Sequence, residues 1–266
     1  MDADLRASAL PSTAPATAEP RIAVRFMDTR HLPYVVGEHL RHFPGGFFAR
    51  LGRGFLTAYT RTHLTSPHAT GFVAELDGEP VGYLVGVIDP ALHRRHLLRS
   101  HGLGLALRGL AALAVRPTVA ARFVRTRLGR YVRKLRPGEE AVPGRTPGPD
   151  PVSGIDIDTG TGAGTGSLHP RPVRGAVLSH VAVSERARSL GIGGVLIERF
   201  TDFAVLAGCD RISLVTAAGA AGAGPYYERR GWYPDGDTRT PDGHRFLLYA
   251  KSLPGPTPPR PRGPRP

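Results

Sequence analysis

The chain has 266 residues, of which 41% are hydrophobic, with a single cysteine and a formal net charge of +13; that is enough apolar material to fold independently around one large core or two small ones. Cys209 alone excludes a disulfide framework and a cysteine metal site, and suits a reducing compartment as a small buried apolar residue. No apolar run is long enough to span a bilayer, and no basic segment precedes an apolar one at the N-terminus, so a cytoplasmic protein is expected.

Residues 1–20 are mostly Ala, Ser, Thr and Pro, with little to bury, and are expected to be disordered. Ile22-Ala23-Val24-Arg25-Phe26 reads as a strand, and Asp28 can cap a helix in which Leu32, Val35, Val36, Leu40 and Phe43 recur at helical spacing. Gly45-Gly46 interrupts that pattern, and a second helix follows with Phe48, Leu51, Phe55, Leu56 and Tyr59 on its inner face. The stretch 71–88 reads as two strands joined by a turn at Asp77-Gly78.

Residues 90–172 read as an insertion. Ala91 to Gly138 holds eleven Arg, one Lys and no acidic residue, so +12 of the +13 resides there. From Thr118 to Leu135, Val124, Leu128, Tyr131 and Leu135 form an apolar stripe among Arg122, Arg125, Arg127, Arg130, Arg133 and Lys134, which predicts a basic amphipathic helix. Such a helix packs by its stripe onto the domain, or presents a site for an anionic surface or acidic substrate; nucleic acid is disfavoured because no aromatic residues interleave the basic ones. Residues 137–172 contain eight glycines and seven prolines and are expected to form a mobile loop.

The strand expected from Gly175 to Val183 ends in Val181-Ala182-Val183. Arg188-Ser189-Leu190-Gly191-Ile192-Gly193-Gly194 then leads into a helix reaching Leu206, with Ile192, Val195, Leu196, Phe200 and Phe203 inward. A strand, a glycine-rich turn and a helix N-terminus form an anion site, because the first-turn N–H groups lack intrahelical partners and the helix dipole adds positive potential. Glycines there also serve close packing. No Gly-x-x-x-x-Gly-Lys-Ser/Thr occurs, and Leu196 stands where a dinucleotide fingerprint needs its third glycine, while Asp210 precedes the next strand, Arg211 to Thr216. A short helix at 224–230, a final hairpin around Asp242-Gly243 and a Pro/Arg/Gly tail at 254–266, expected to be disordered, complete the chain.

Arg-x-x-Gly-x-Gly after a Val-x-Val strand resembles the coenzyme A loop of the GNAT superfamily of N-acetyltransferases. Two further segments carry the resemblance: Pro225-Tyr226-Tyr227-Glu228-Arg229-Arg230-Gly231-Trp232, similar to the family's aromatic-Tyr-x-x-x-Gly-aromatic signature, and the upstream hairpin. It spans about 21–90 and 173–253. The resemblance implies an α/β, GNAT-like, mixed and mostly antiparallel sheet with helices on both faces; the low-complexity segments leave one domain over 21–253, and the insertion at 90–136 itself reads as basic and helical. It implies acetyl-CoA as co-substrate, no metal, and a primary amine of a small molecule or protein as acceptor, attacking directly in a ternary complex.

Val181, Ala182, Val183, Arg188, Ser189, Leu190, Gly191, Ile192, Gly193 and Gly194 would then hold the coenzyme, with the backbone of Val181 and Val183 pairing the pantetheine arm, and Tyr227 would protonate the thiolate. The amine must also lose a proton. His180 is the candidate base, although strand alternation sets it opposite Val181 and Val183 unless a bulge shifts the phase, with Ser179 and Val177 on the valines' side. Family members often carry a carboxylate or histidine at positions matching Ser179 or Val177. This chain also has Glu185 in place of a Pro common in the family, Ser189 in place of the first loop glycine, and no Asn between Ala217 and Gly224. These departures keep a second reading open: a non-catalytic module that binds acyl-CoA and uses its Arg-rich helix on an anionic surface.

Overall fold

A computed structural model describes residues 21–124, 173–219, 222–240 and 243–254. The tails, most of the predicted 118–135 helix, the predicted loop at 137–172 and Asp242 of the last turn lie outside them. Seven strands form one sheet: β1 (Ile22–Phe26), β2 (Ala69–Leu76), β3 (Glu79–Val87), β4 (Gly175–Val183), β5 (Arg211–Ala217), β6 (Tyr233–Arg239) and β7 (Arg245–Ser252), in spatial order β1-β2-β3-β4-β5-β7-β6. Every neighbouring pair is antiparallel except β4 and β5.

The β2–β3 turn is tight because Asp77 and Gly78 both take left-handed backbone, with φ of 52° and 86°, which suits the right-handed twist of the flanking strands. Asp28 accepts a hydrogen bond from the Arg30 backbone N–H and caps a short 3-10 turn that runs into α1 (Leu32–His42). Leu32, Val35 and Val36 are buried as their spacing predicts, and so are Glu38 and His39. The second predicted helix is two, α2 (Phe47–Arg50) and α3 (Arg53–Thr65). Gly52 separates them with φ of 94°, which no helix accommodates.

The insertion opens with α4 (Pro90–Ala114), a 25-residue helix within the stretch 90–136 expected to be helical. Asp89 caps it by accepting from the Leu92 N–H, and Pro90 at its first position loses no intrahelical bond. After it comes α5 (Pro117–Phe123), which covers the start of the predicted basic helix.

The helix after the glycine-rich turn, α6 (Ile192–Leu206), starts three residues later than predicted, because Ser189 and Gly191 have φ of 67° and 75°. Ile192, Leu196, Ile197 and Phe200 are its buried apolar residues, whereas Val195, predicted inward, is 42% exposed. These residues pack with Ala176, Leu178, Ile212 and Leu214 of the sheet and with Trp232. Gly86 permits the close approach of α6 to β3: a Cβ there would lie 2.2 Å from the Phe200 ring. Cys209 is buried in this core, its Sγ–H directed at the Ile88 carbonyl. A second cluster, built from Val73, Tyr83, Val85 and Ala182 with Val35, Tyr34 and Phe43, forms on α1's side. The last helix, α7 (Gly224–Glu228), precedes the β6–β7 hairpin.

Candidate active site

β4 and β5 pair only through Gly175–Arg211, Ala176–Ile212 and Val177–Ser213. Beyond those pairs both strands continue, β4 to Val183 and β5 to Ala217, without pairing. Parallel strands that part in this way open a cleft at their C-terminal ends, and the edge of β4 facing it keeps backbone groups directed into the gap. The cleft leads to the turn before α6, so Val181, Ala182 and Val183 and the loop Arg188–Gly194 lie along one path.

The turn is shaped by its backbone. Gly191 stands in left-handed conformation at the N-cap with nothing within 4 Å of where a Cβ would be, so only torsion, not a neighbour, demands glycine. Ser189 adopts the same conformation at the position where the family's first loop glycine would stand. Gly193 and Gly194 serve packing instead: added Cβ atoms would meet the Tyr226 hydroxyl at 3.2 Å and the Arg230 guanidinium at 3.1 Å. Arg230 lies 3.9 Å over the Tyr226 ring, so this stacked pair braces the first turn of α6 and brings a cation to it. Neither residue was singled out from the sequence. Arg188 is 56% exposed, with a long pairing to Glu185 at 3.7 Å, an exposed pair that holds it only weakly.

Tyr227 belongs to the α6-side core, 7% exposed, with ring centroids 5.7 Å from Trp232 and 6.2 Å from Tyr249. Burial raises its pKa well above that of an ordinary phenol, and Tyr226 adds to the effect, so it carries its proton at neutral pH. The helix that presents it is seated on β7 at Gly224, where a Cβ would lie 2.6 Å from the Tyr249 hydroxyl; that hydroxyl in turn donates to Glu228 Oε1 at 2.6 Å.

A bulge corrects the expected phase of β4. Val85 pairs with His180 and Gly86 with Leu178, so Ser179 is the extra residue. Leu178 therefore shares the α6-side core with Val181 and Val183, while His180 and Ala182 face α1; Val177 does not share the phase of Val181. The His180 ring lies 4.6 Å from that of His39 and 5.4 Å from that of Phe43. Together with His63, Tyr59 and Tyr83 it borders a small cavity between α1, α3 and the sheet, with room for about one water molecule. Burial holds the His180 pKa well below the usual imidazole value, and His39 and His63 push it further down.

The sequence reading missed the rest of this wall. Tyr83 Oη and His39 Nδ1 are 3.3 Å apart, and Glu38, 5% exposed, is bonded to Arg41 and, at 3.1 Å, to His42 Nε2. His39 follows Val35 by four residues and could have been found on the helical stripe. A buried glutamate leaves no such signal. Among the described residues no group of three or more His, Cys, Asp or Glu is placed to hold a metal ion, and no helix is long and apolar enough to cross a membrane.

Residues 133–232 match the family model described as acetyltransferase (GNAT) family. No curated protein matches the chain. Among solved structures it is similar to the ribosomal-protein-S18-alanine N-acetyltransferase from Escherichia coli, at 12% identity and a TM-score of 0.45 over 90% of this chain and 97% of that one. It is also similar to Ard1 from Thermoplasma volcanium, at 12% identity and a TM-score of 0.47 over 87% and 97%. The family match spans the β4 strand, the glycine-rich turn and the Tyr227–Trp232 segment, and the mixed, mostly antiparallel seven-stranded sheet parted at β4 and β5 has the GNAT fold, so this part of the chain is similar to GNAT acetyltransferases.

Proposed function

We propose that the protein is an N-acetyltransferase that moves acetyl from acetyl-CoA to a primary amine by direct attack in a ternary complex. The observation that carries this reading is the parting of β4 from β5 above Val177–Ser213, with the α6 turn at its end. The pantetheine arm fits as an added strand along β4 at Val181 and Val183. Its pyrophosphate takes the backbone N–H groups of Ile192 and Gly193 and the exposed, weakly held Arg188.

The amine nitrogen attacks the thioester carbonyl carbon, the C–S bond breaks, and the sulfur leaves as thiolate while the nitrogen sheds a proton. A β4 backbone N–H polarises the carbonyl oxygen. Tyr227, kept protonated by burial, donates its O–H to the sulfur; a phenol with a raised pKa is a firm hydrogen-bond donor and a reluctant acid. His180 faces the acceptor side between α1, α3 and the sheet. Being neutral, it offers a lone pair toward the amine, and its low basicity sends the proton onward to water.

That low basicity also favours the second reading, a module that binds acyl-CoA without turnover. Purified protein is given acetyl-CoA and a panel of amines, free thiol is followed, and Tyr227→Phe is run beside it. Amine-dependent thiol release that drops roughly tenfold or more in the variant supports the enzyme, since a positioned acid contributes about 10²–10⁴-fold. Coenzyme A binding with no turnover for any amine selects the module.

A further inference from the structure

From the outer face of α4 we infer a docking surface for an anionic lipid bilayer, with the helix lying in the plane of the headgroups. This does not rest on the proposed reaction. The inner face of α4 is committed to the domain: His93 and Ala112 are buried, Gly109 approaches the Phe55 ring, and His101 Nε2 and Thr65 Oγ1 are 2.9 Å apart. The opposite face carries Leu92, Leu103, Leu107 and Leu110, which are 38%, 76%, 59% and 64% exposed. At about 100° per residue these four fall within an arc of about 60°, so they form one stripe. Exposed Arg95 and Arg99 border it.

Charge selects the occupant. From Ala91 to Val124 the described chain has six Arg and no acidic residue, so an anionic partner is attracted and a cationic one repelled. A nucleic acid would satisfy the arginines and leave four leucines in water. A bilayer with acidic headgroups takes both, burying the leucines at the acyl boundary while arginines remain among the phosphates. No helix of the described residues qualifies to cross a membrane, so α4 lies on the surface. Because α4 packs along α3, docking holds the α1–α3 side of the sheet next to the bilayer.

The test is flotation of the full chain with vesicles of phosphatidylcholine containing phosphatidylglycerol, or of phosphatidylcholine alone, at low and high salt. The wild type binds the anionic vesicles, less so at high salt, and leaves phosphatidylcholine unbound. Leu103→Asn with Leu107→Asn lowers the bound fraction roughly tenfold with an unchanged melting temperature, and Arg95→Gln with Arg99→Gln weakens binding and flattens its salt dependence. Failure of the wild type to bind, equal binding to both vesicle types, or wild-type binding by the leucine variant overturns the inference. So does a concentration-dependent dimer that the leucine variant abolishes, which assigns the stripe to a second copy, or a fall in melting temperature on leucine replacement, which assigns it to the chain itself.

Discussion

Acid should destabilise this protein well before its carboxylates titrate, because His39, His63, His93 and His180 are held as neutral rings by burial. His39, His63 and His93 are 6%, 2% and 7% exposed. Desolvation lowers His39 and His93 to about 4 and His63 to about 3. Nδ1 of His63 and both ring nitrogens of His93 lack hydrogen-bond partners, and the two rings lie 4.7 Å apart, so a charge on one finds no compensation and opposes a charge on the other. The native state thus keeps these rings neutral while the unfolded chain takes up protons as the pH falls through about 6.5. Their stabilisation is fully present above that value and is lost on the way down to the folded values. At pH 5 each of His39, His63 and His93 forfeits about 2 kcal/mol relative to pH 7, and the three together about 6 kcal/mol, a large part of the 5–15 kcal/mol that holds a typical domain. Carboxylates, with unfolded values near 4, contribute little in this window. Urea unfolding followed by fluorescence of Trp232, the one tryptophan, at half-unit steps from pH 7.5 to 5 measures the slope. His63→Leu should remove about a quarter of it, since His180 contributes beside the other two. A flat stability between pH 7 and 5, or a slope untouched by that variant, would show that the buried rings do not govern acid stability.

The turn before α6 makes two opposite predictions. Gly191→Val places a β-branched side chain at φ 75°, costing about 1–2 kcal/mol or more and distorting the phosphate cradle; coenzyme A affinity by calorimetry should fall, and an unchanged affinity would refute the placement of the loop. Ser189→Gly relieves the strain of φ 67° and should stabilise the protein by about 0.5–1 kcal/mol net of glycine's entropy, with coenzyme affinity retained; a loss of stability in urea would mean that the serine side chain holds the turn. Tyr227→Phe should separate chemistry from binding, lowering kcat and leaving coenzyme affinity near wild type. An equal loss in both would make the tyrosine a packing residue.

Much of this was legible along the chain because it depends on local chemistry. Asp77-Gly78 turned where glycine and aspartate tolerate left-handed backbone, the period of Leu32, Val35 and Val36 marked α1, and the segments from Arg188 to Trp232 carried the resemblance that the fold and the family match at 133–232 support. Other features depend on contacts between segments distant in sequence. The Ser179 bulge follows from how β3 and β4 register, and it puts Leu178, rather than Ser179 or Val177, on the face of Val181 and Val183, while His180 keeps the α1 face that strand alternation gives it. Burial of Glu38 and of the His39, His63 and His93 rings arises only when α1, α3 and α4 close over the sheet, and polar residues carry no hydrophobic period that would announce it. Tyr226 and Arg230 reach Gly193 and Gly194 across a strand. The sequence by itself determined most of the elements, their order and the glycine-rich turn before α6, since torsional preference and periodicity act over a few residues; the phase of β4, the neutral histidine wall and the exposed leucine face of α4 were decided by packing, which depends on what lies opposite.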